Sequence, residues 1–322
     1  MMSGAARSAL RMALAAGATA LVAGSLHIPQ TFLSVLAAQL TTGIAFQHGR
    51  SGFLLRLAAA FGGSLTGLLL LISLSDQYWF SLPAFGVLAG WGTLWVARRG
   101  DPGAAILFCM GLCGMFSAGI VEPAPGILVG IAHGLSLATA VVFSRLAQWV
   151  LPVSVGPAHL RGPEPRALQI GVTAPFTLVA ACAAFPSMAV VSTIASLATV
   201  LTLSPGARDV WEKLCGGALG VAASFAFLTV VSGAGNDLAL FLLGLAGALG
   251  VFEWIACRCP QRGPLFRQAG ALFAVAATIL PRPSDSLFAS TERQMAVLLG
   301  LAVAAALHLA MSRRPAGSKA AS

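Results

Sequence analysis

The sequence predicts an all-α polytopic membrane protein of about twelve transmembrane helices, arranged as two parallel six-helix repeats with both termini cytoplasmic. Three observations predict it: apolar runs of membrane-spanning length, basic residues gathered on one side of those runs, and breaks that recur at a constant offset. The composition agrees, with 57% hydrophobic and only 9% charged residues. A water-facing surface of ordinary kind needs about 25% charged residues. The net charge of +9 forms no stripe or basic tail, which argues against nucleic acid as a partner.

A bilayer core of about 30 Å needs roughly 20 apolar residues as helix. In the first half the candidate spans are 8–27, 30–46, 53–74, 79–97, 103–121 and 125–151. In the second half they are 168–185, 187–203, 211–232, 237–257, 264–280 and 290–311. Pro29 and Pro186 each divide a long apolar stretch, so either pair could be one kinked helix. Charge decides between ten and twelve spans. With the N-terminus inside, 17 of the 19 basic residues fall on the cytoplasmic side, leaving only Arg282 and Arg293 outside. The carboxylates divide evenly, with Asp76, Glu122, Asp237, Asp285 and Glu292 outside. This is the positive-inside pattern, to which acidic residues contribute little. Merging helices at the two prolines would destroy it. Arg7 and Arg11 before an apolar run resemble a signal peptide. The counterpart of that run at 168–185, deep in the chain, argues for a span instead.

The halves correspond at an offset of 157 to 158 residues. Pro29 matches Pro186, Arg56-Leu57 with Gly63 matches Lys213-Leu214 with Gly220, and Asp101-Pro102 matches Cys259-Pro260. Six spans per unit give both copies the same orientation. The organisation is a first repeat at 1–151, a Pro-rich cytoplasmic linker at 152–166, a second repeat at 167–312 and a cytoplasmic tail at 313–322. Repetition of the breaks in one order is the signature of duplication.

Each unit opens with a basic or polar lead into an Ala/Leu helix, as in Arg7-Ser8-Ala9-Leu10-Arg11-Met12-Ala13-Leu14. A Pro break, a second helix and then a basic residue backed by glycines follow. In the second half this reads Lys213-Leu214-Cys215-Gly216-Gly217-Ala218-Leu219-Gly220, and in the first Arg56-Leu57-Ala58-Ala59-Ala60-Phe61-Gly62-Gly63. The pattern resembles the Arg-x-x-Gly-Thr-x-x-Gly signature of the fusaric acid resistance and aromatic acid exporter (FUSC-like) superfamily. Gly217 and Ala60 stand where that signature has Thr, and a 15-residue linker stands where larger members carry a soluble domain. The resemblance implies a compact bacterial inner-membrane exporter of small, often aromatic, organic acids, with a periplasmic adaptor as partner.

Ionisable groups inside lipid are costly, so each is a candidate for function. Arg56 and Lys213, related by the repeat, either snorkel to lipid phosphates or flank an inner mouth that attracts anions. Glu253 is the one carboxylate well inside a span. It pairs with Arg258 or Arg267, or it carries a proton. His133 is a packed neutral ring or a titrating group in a proton path. Gln39 is interhelical glue or a substrate donor. Gly63 with Gly67, Gly216 with Gly220, and Gly126, Gly130 and Gly134 are four apart on one helix face, the spacing that lets backbones approach. The six cysteines read as small buried hydrophobes, with no metal spacing.

No nucleophile–base arrangement, phosphate loop or cofactor motif stands out, so no enzyme activity and no cofactor is expected. The leading reading is a transporter, an exporter of small organic anions coupled to the proton gradient. Its partners are the lipid bilayer and the anion itself, and a homo-oligomer is compatible with it. Alternatives are a major-facilitator-type carrier, a ten-helix drug/metabolite carrier, and a scaffold or assembly subunit without transport. The loop Gln47-His48-Gly49-Arg50-Ser51-Gly52 lacks the acid expected of the first, and the charge pattern opposes the second.

Overall fold

Twelve α-helices fill the computed structural model, which describes residues 3–26, 31–44, 50–74, 77–99, 101–121, 127–152, 163–202, 207–235, 237–277 and 287–312. The first six are α1 (Gly4–Ser25), α2 (Thr31–Thr42), α3 (Arg50–Leu74), α4 (Tyr78–Ala97), α5 (Pro102–Val121) and α6 (Ile127–Val150). The second six are α7 (Pro163–Ala184), α8 (Ala189–Thr202), α9 (Ala207–Gly233), α10 (Leu238–Arg258), α11 (Gly263–Ala277) and α12 (Leu287–Ser312). Among the described residues nine of them are long and apolar enough to cross a membrane. The chain is a multi-pass helical membrane protein.

Local chemistry sets the helix ends. The Ser3 hydroxyl accepts the Ala6 N–H at 3.3 Å, and the Asp237 carboxylate accepts the Leu240 N–H at 2.8 Å. Both satisfy amides that the first helical turn leaves without a partner. Phe185 leaves helical geometry ahead of Pro186, and a 3₁₀ turn over Pro186–Met188 leads into α8, so two helices stand there. A residue before proline is pushed toward extended backbone, which ends the helix. Pro29 lies outside the described residues. The boundary drawn at 166 is corrected, because α7 begins at Pro163. Proline has no N–H to waste in the first turn, so Pro163 and Pro165 suit that place.

Helices α2, α8 and α11 have 12, 14 and 15 described residues, about 18–23 Å of rise, short of the bilayer core. Together with α5 they are also the most enclosed. Every residue from Val191 to Leu201 and from Gln268 to Ala277 is buried. With α5 they form the centre: α2 packs on α5 and α11, and α8 packs on α11 and α5.

Every packing pair among the α-helices has a counterpart six helices on. Within the halves, α3 lies on α5 as α9 on α11, α2 on α6 as α8 on α12, and α4 on α5 as α10 on α11. Between the halves, α1 lies on α10 as α7 on α4, and α5 on α8 as α11 on α2.

Glycines make the tightest of these contacts. A Cβ on Gly63 would strike the Phe108 carbonyl, and one on Gly67 the Leu112 carbonyl at 2.6 Å. In the matching place, Gly216 lies under the Leu265 carbonyl and Gly220 under that of Ala269. Gly130 and Gly134 accommodate Leu68 and Phe61 of α3, while Gly126 lies outside the described residues. Without a hydrophobic drive between helices in lipid, such close approach maximises dispersion contact.

These contacts also expose a difference in register. Gly63 meets a residue 45 positions on, whereas Gly220 meets one 49 positions on. The four extra residues, about one helical turn, are accommodated near the 3₁₀ turn Pro260–Arg262 that leads into α11. The alignment of Asp101-Pro102 with Cys259-Pro260 is therefore corrected by one turn. In the packed structure Asp101 has Arg262 as its counterpart.

Candidate functional site

Glu253 sits on α10 five residues before the helix ends, and only 7% of it is exposed. Its surroundings come from three helices. Ser8 of α1 donates its hydroxyl to Oε1 at 3.0 Å, and the Cys257 thiol one turn along α10 donates to the same oxygen at 3.4 Å. Arg267 of α11 donates its Nε to Oε2 at 3.4 Å. A carboxylate only accepts, so three donors match it well. Arg258 is not the partner: its guanidinium lies over the Trp254 ring, 5.5 Å from the centroid.

A second guanidinium belongs to this cluster. Arg11 of α1 is 3% exposed and interacts electrostatically with Glu253. Its buried Nε has no hydrogen-bond partner among the described residues. Gln39 of α2 joins from the core side, donating its Nε2 to the Arg267 carbonyl at 3.4 Å, while its buried Oε1 has no donor among the described residues. The cluster thus holds two guanidiniums, one carboxylate and an open amide acceptor. Buried polar groups are normally partnered, so an unmet Arg Nε is an exception that needs a cause. Phe252, beside Glu253, joins a ladder of tilted phenylalanine rings, with Phe252–Phe273 centroids 5.7 Å apart and Phe273–Phe227 at 5.6 Å.

The matching junction, α4 on α7, has a closer backbone approach, and no charged residue among the described ones lines its groove. Gly86 and Gly90 lie under the carbonyls of Gly171 and Ala167, beside an apolar groove of about 440 Å³. Pro83, Val87, Trp91, Leu94, Leu168 and Pro175 line it. One landmark aligns the two junctions: Arg99 covers the Trp95 ring at 3.7 Å as Arg258 covers that of Trp254. By that landmark Leu94 takes the place of Glu253, and at the repeat offset Leu168 takes the place of Arg11.

The other sequence-selected residues lie elsewhere. Arg56 is fully buried, which corrects the expectation of snorkelling to lipid phosphates. Its Nε donates to both Asp101 carboxylate oxygens at 3.1 Å, and its two terminal nitrogens donate to the Ile44 carbonyl at 3.3 and 3.4 Å. Asp101 also caps α5, accepting the N–H groups of Gly103 at 2.8 Å and Ala104 at 3.1 Å. Arg56 therefore has its counter-ion inside the fold. Lys213, 3% exposed, donates to the Pro264 carbonyl at 3.3 Å, with Asp209, Arg267, Arg166 and Glu212 the charged groups acting on it. Arg56 and Lys213 face different helices, α5 and α11, and form no common pair. His133 is 1% exposed; its Nε2 has no partner among the described residues, and a Cβ at Gly114 would collide with its ring.

The structure therefore brings Gln39 and Glu253 together through Arg267, which also acts on Lys213, and separates them from Arg56 and His133. Sequence reading missed Arg11 as a member of the site, and missed Ser8, Cys257 and the Arg56–Asp101 pair. Asp101 had a local signal, since Asp followed by Pro is an N-cap with proline at the first helical position. Arg11 had only its depth, eight residues into α1. No protein-family model, curated protein or solved structure matches the chain.

Proposed function

We propose that the chain is a secondary transporter of small organic acids in a bacterial inner membrane. Two guanidiniums around one carboxylate, with Arg11 and Glu253 buried and the Arg267 side chain 58% exposed, carry this reading. Such a cluster has an unbalanced positive charge, and in low dielectric that charge favours an anionic ligand. A guanidinium presents parallel donors that suit a carboxylate. The ladder of Phe252, Phe273 and Phe227 beside the charges supports an aromatic acid.

The halves are two co-oriented six-helix repeats with both termini in the cytoplasm. Matched packing pairs and the one-sided basic residues support that arrangement. The site then lies toward the cytoplasmic end of α1, α10 and α11, where an exporter loads. The resemblance of the Arg56 and Lys213 segments to the FUSC-like signature supports export and an adaptor partner.

The test is flux of radiolabelled aromatic and aliphatic acids in proteoliposomes. Saturable, protein-dependent flux of at least one acid is expected, falling at least about 10-fold in Arg11→Gln. A well-folded protein that moves none of a broad panel would leave the scaffold reading in its place.

A further inference from the structure

We propose that Arg11 receives the substrate carboxylate, and that one monoanion without a proton fills the site, so that transport moves one net charge and follows the membrane potential. The inference rests on the transporter reading and adds its ligand charge and its driving force.

The argument is an inventory of the groups that face the site. From α1 come Ser8 and Arg11, from α2 Gln39, from α10 Glu253 and Cys257, and from α11 Arg267, whose side chain is 58% exposed. Lys213 of α9 also acts on Arg267, but it is grouped with Arg166, Asp209 and Glu212, two positive and two negative charges that balance. Glu253 has a donor from each of Ser8, Cys257 and Arg267, and serves as the resident counter-ion of Arg267. Arg11 shares the electrostatic field of Glu253 but donates it no hydrogen bond, and its Nε is open. With Glu253 ionised, the cluster of Arg11, Arg267 and Glu253 carries one positive charge. A single carboxylate on Arg11 neutralises it and supplies the missing acceptor, with no proton needed on Glu253.

The driving force follows from that count. The empty site is positive and the loaded site neutral, so each exported anion carries one negative charge outward. An inside-negative potential favours that direction by about 50-fold in the anion gradient per 100 mV. The proton gradient expected from the sequence is then not the coupling force. A dianion would leave the site negative and is disfavoured.

The experiment uses the full chain in proteoliposomes, with benzoate and phthalate as mono- and dianionic probes. Valinomycin and potassium gradients set the potential, a trapped dye follows pH, and protein-free vesicles supply the leak. Benzoate flux should rise with the potential, with no protein-dependent proton movement. Glu253→Gln adds one positive charge, and should shift preference from benzoate to phthalate by at least about 10-fold. Arg11→Gln should lose benzoate flux, and Arg11→Lys should restore part of it. Flux that ignores the potential and moves one proton per anion overturns the inference and leaves the transporter standing. So does an unchanged preference in Glu253→Gln. If neither these probes nor any other acid moves through the folded wild type, both readings fall.

Discussion

The two halves of the molecule repeat their backbone packing and differ in their charges. At the α1–α10 junction, Arg11, Glu253 and Arg267 gather, whereas the corresponding α4–α7 junction presents Leu94 and Leu168 along an apolar groove. At α3–α5, Arg56 has a carboxylate partner in Asp101, and at α9–α11, Lys213 has a carbonyl. Glycines under carbonyls recur at both members of each pair. Close packing here is carried by small residues in both halves, whereas the partners of the charged residues differ between the halves. A charge present at only one of two matched places is not required by the packing, so it points to a separate role.

Breaking the buried pair should give the largest loss of stability. Arg56→Ala leaves Asp101 an uncompensated buried charge, and should cost about 3–5 kcal/mol. Lys213→Met should change stability by no more than about 1 kcal/mol, because among the described residues Lys213 donates to the Pro264 carbonyl and to no carboxylate. Unfolding in mixed micelles, followed by circular dichroism, would check both. Equal losses at the two positions would erase the contrast between α3–α5 and α9–α11.

A second break swaps the junctions. Arg11→Leu with Glu253→Leu makes α1–α10 resemble α4–α7. Organic-acid flux should fall at least about 30-fold, about 2 kcal/mol, while the thermal midpoint is preserved. Retained flux would show that the charged junction is not the site.

Gly90→Leu tests the packing on the uncharged side. Its side chain would meet the Ala167 carbonyl, where even a Cβ comes within 2.6 Å. Overpacking of this kind costs about 1–3 kcal/mol, and the ratio of benzoate to phthalate flux should not move. A changed ratio would mean that the groove takes part in recognition.

The smallest effect sharpens the comparison without perturbing the fold. Cys257 is half-buried and donates to Glu253, whereas Cys109 and Cys113 are buried between other helices. Benzoate at saturation should slow maleimide labelling of Cys257 by about two- to fivefold, and leave the rate at exposed Cys215 unchanged. Equal rates with and without the acid would place the ligand away from this cluster.

Class and helix order were legible in the sequence, because both depend on short-range chemistry. Apolar runs, the breaks at Pro186 and Pro260 and the spacing of Gly63, Gly67, Gly216 and Gly220 are each written within a few consecutive residues. Glu253 and Gln39 stood out for a related reason, being polar groups in apolar runs, which need a partner somewhere. Which partner they find depends on the order in which helices pack, and periodicity does not encode that order. Glu253 meets Ser8 across 245 residues and Gln39 meets the Arg267 carbonyl across 228, so only packing of α1, α2, α10 and α11 brings them together. The same holds for the register of α11, where four residues near a 3₁₀ turn set which carbonyl, that of Pro264, meets Lys213. By itself the sequence determined that the chain is a helical membrane protein with charges that require partners. Only the tertiary structure decided which charges are already satisfied and that Arg11 still has a donor to offer, because that balance is set by contacts between helices distant in the chain.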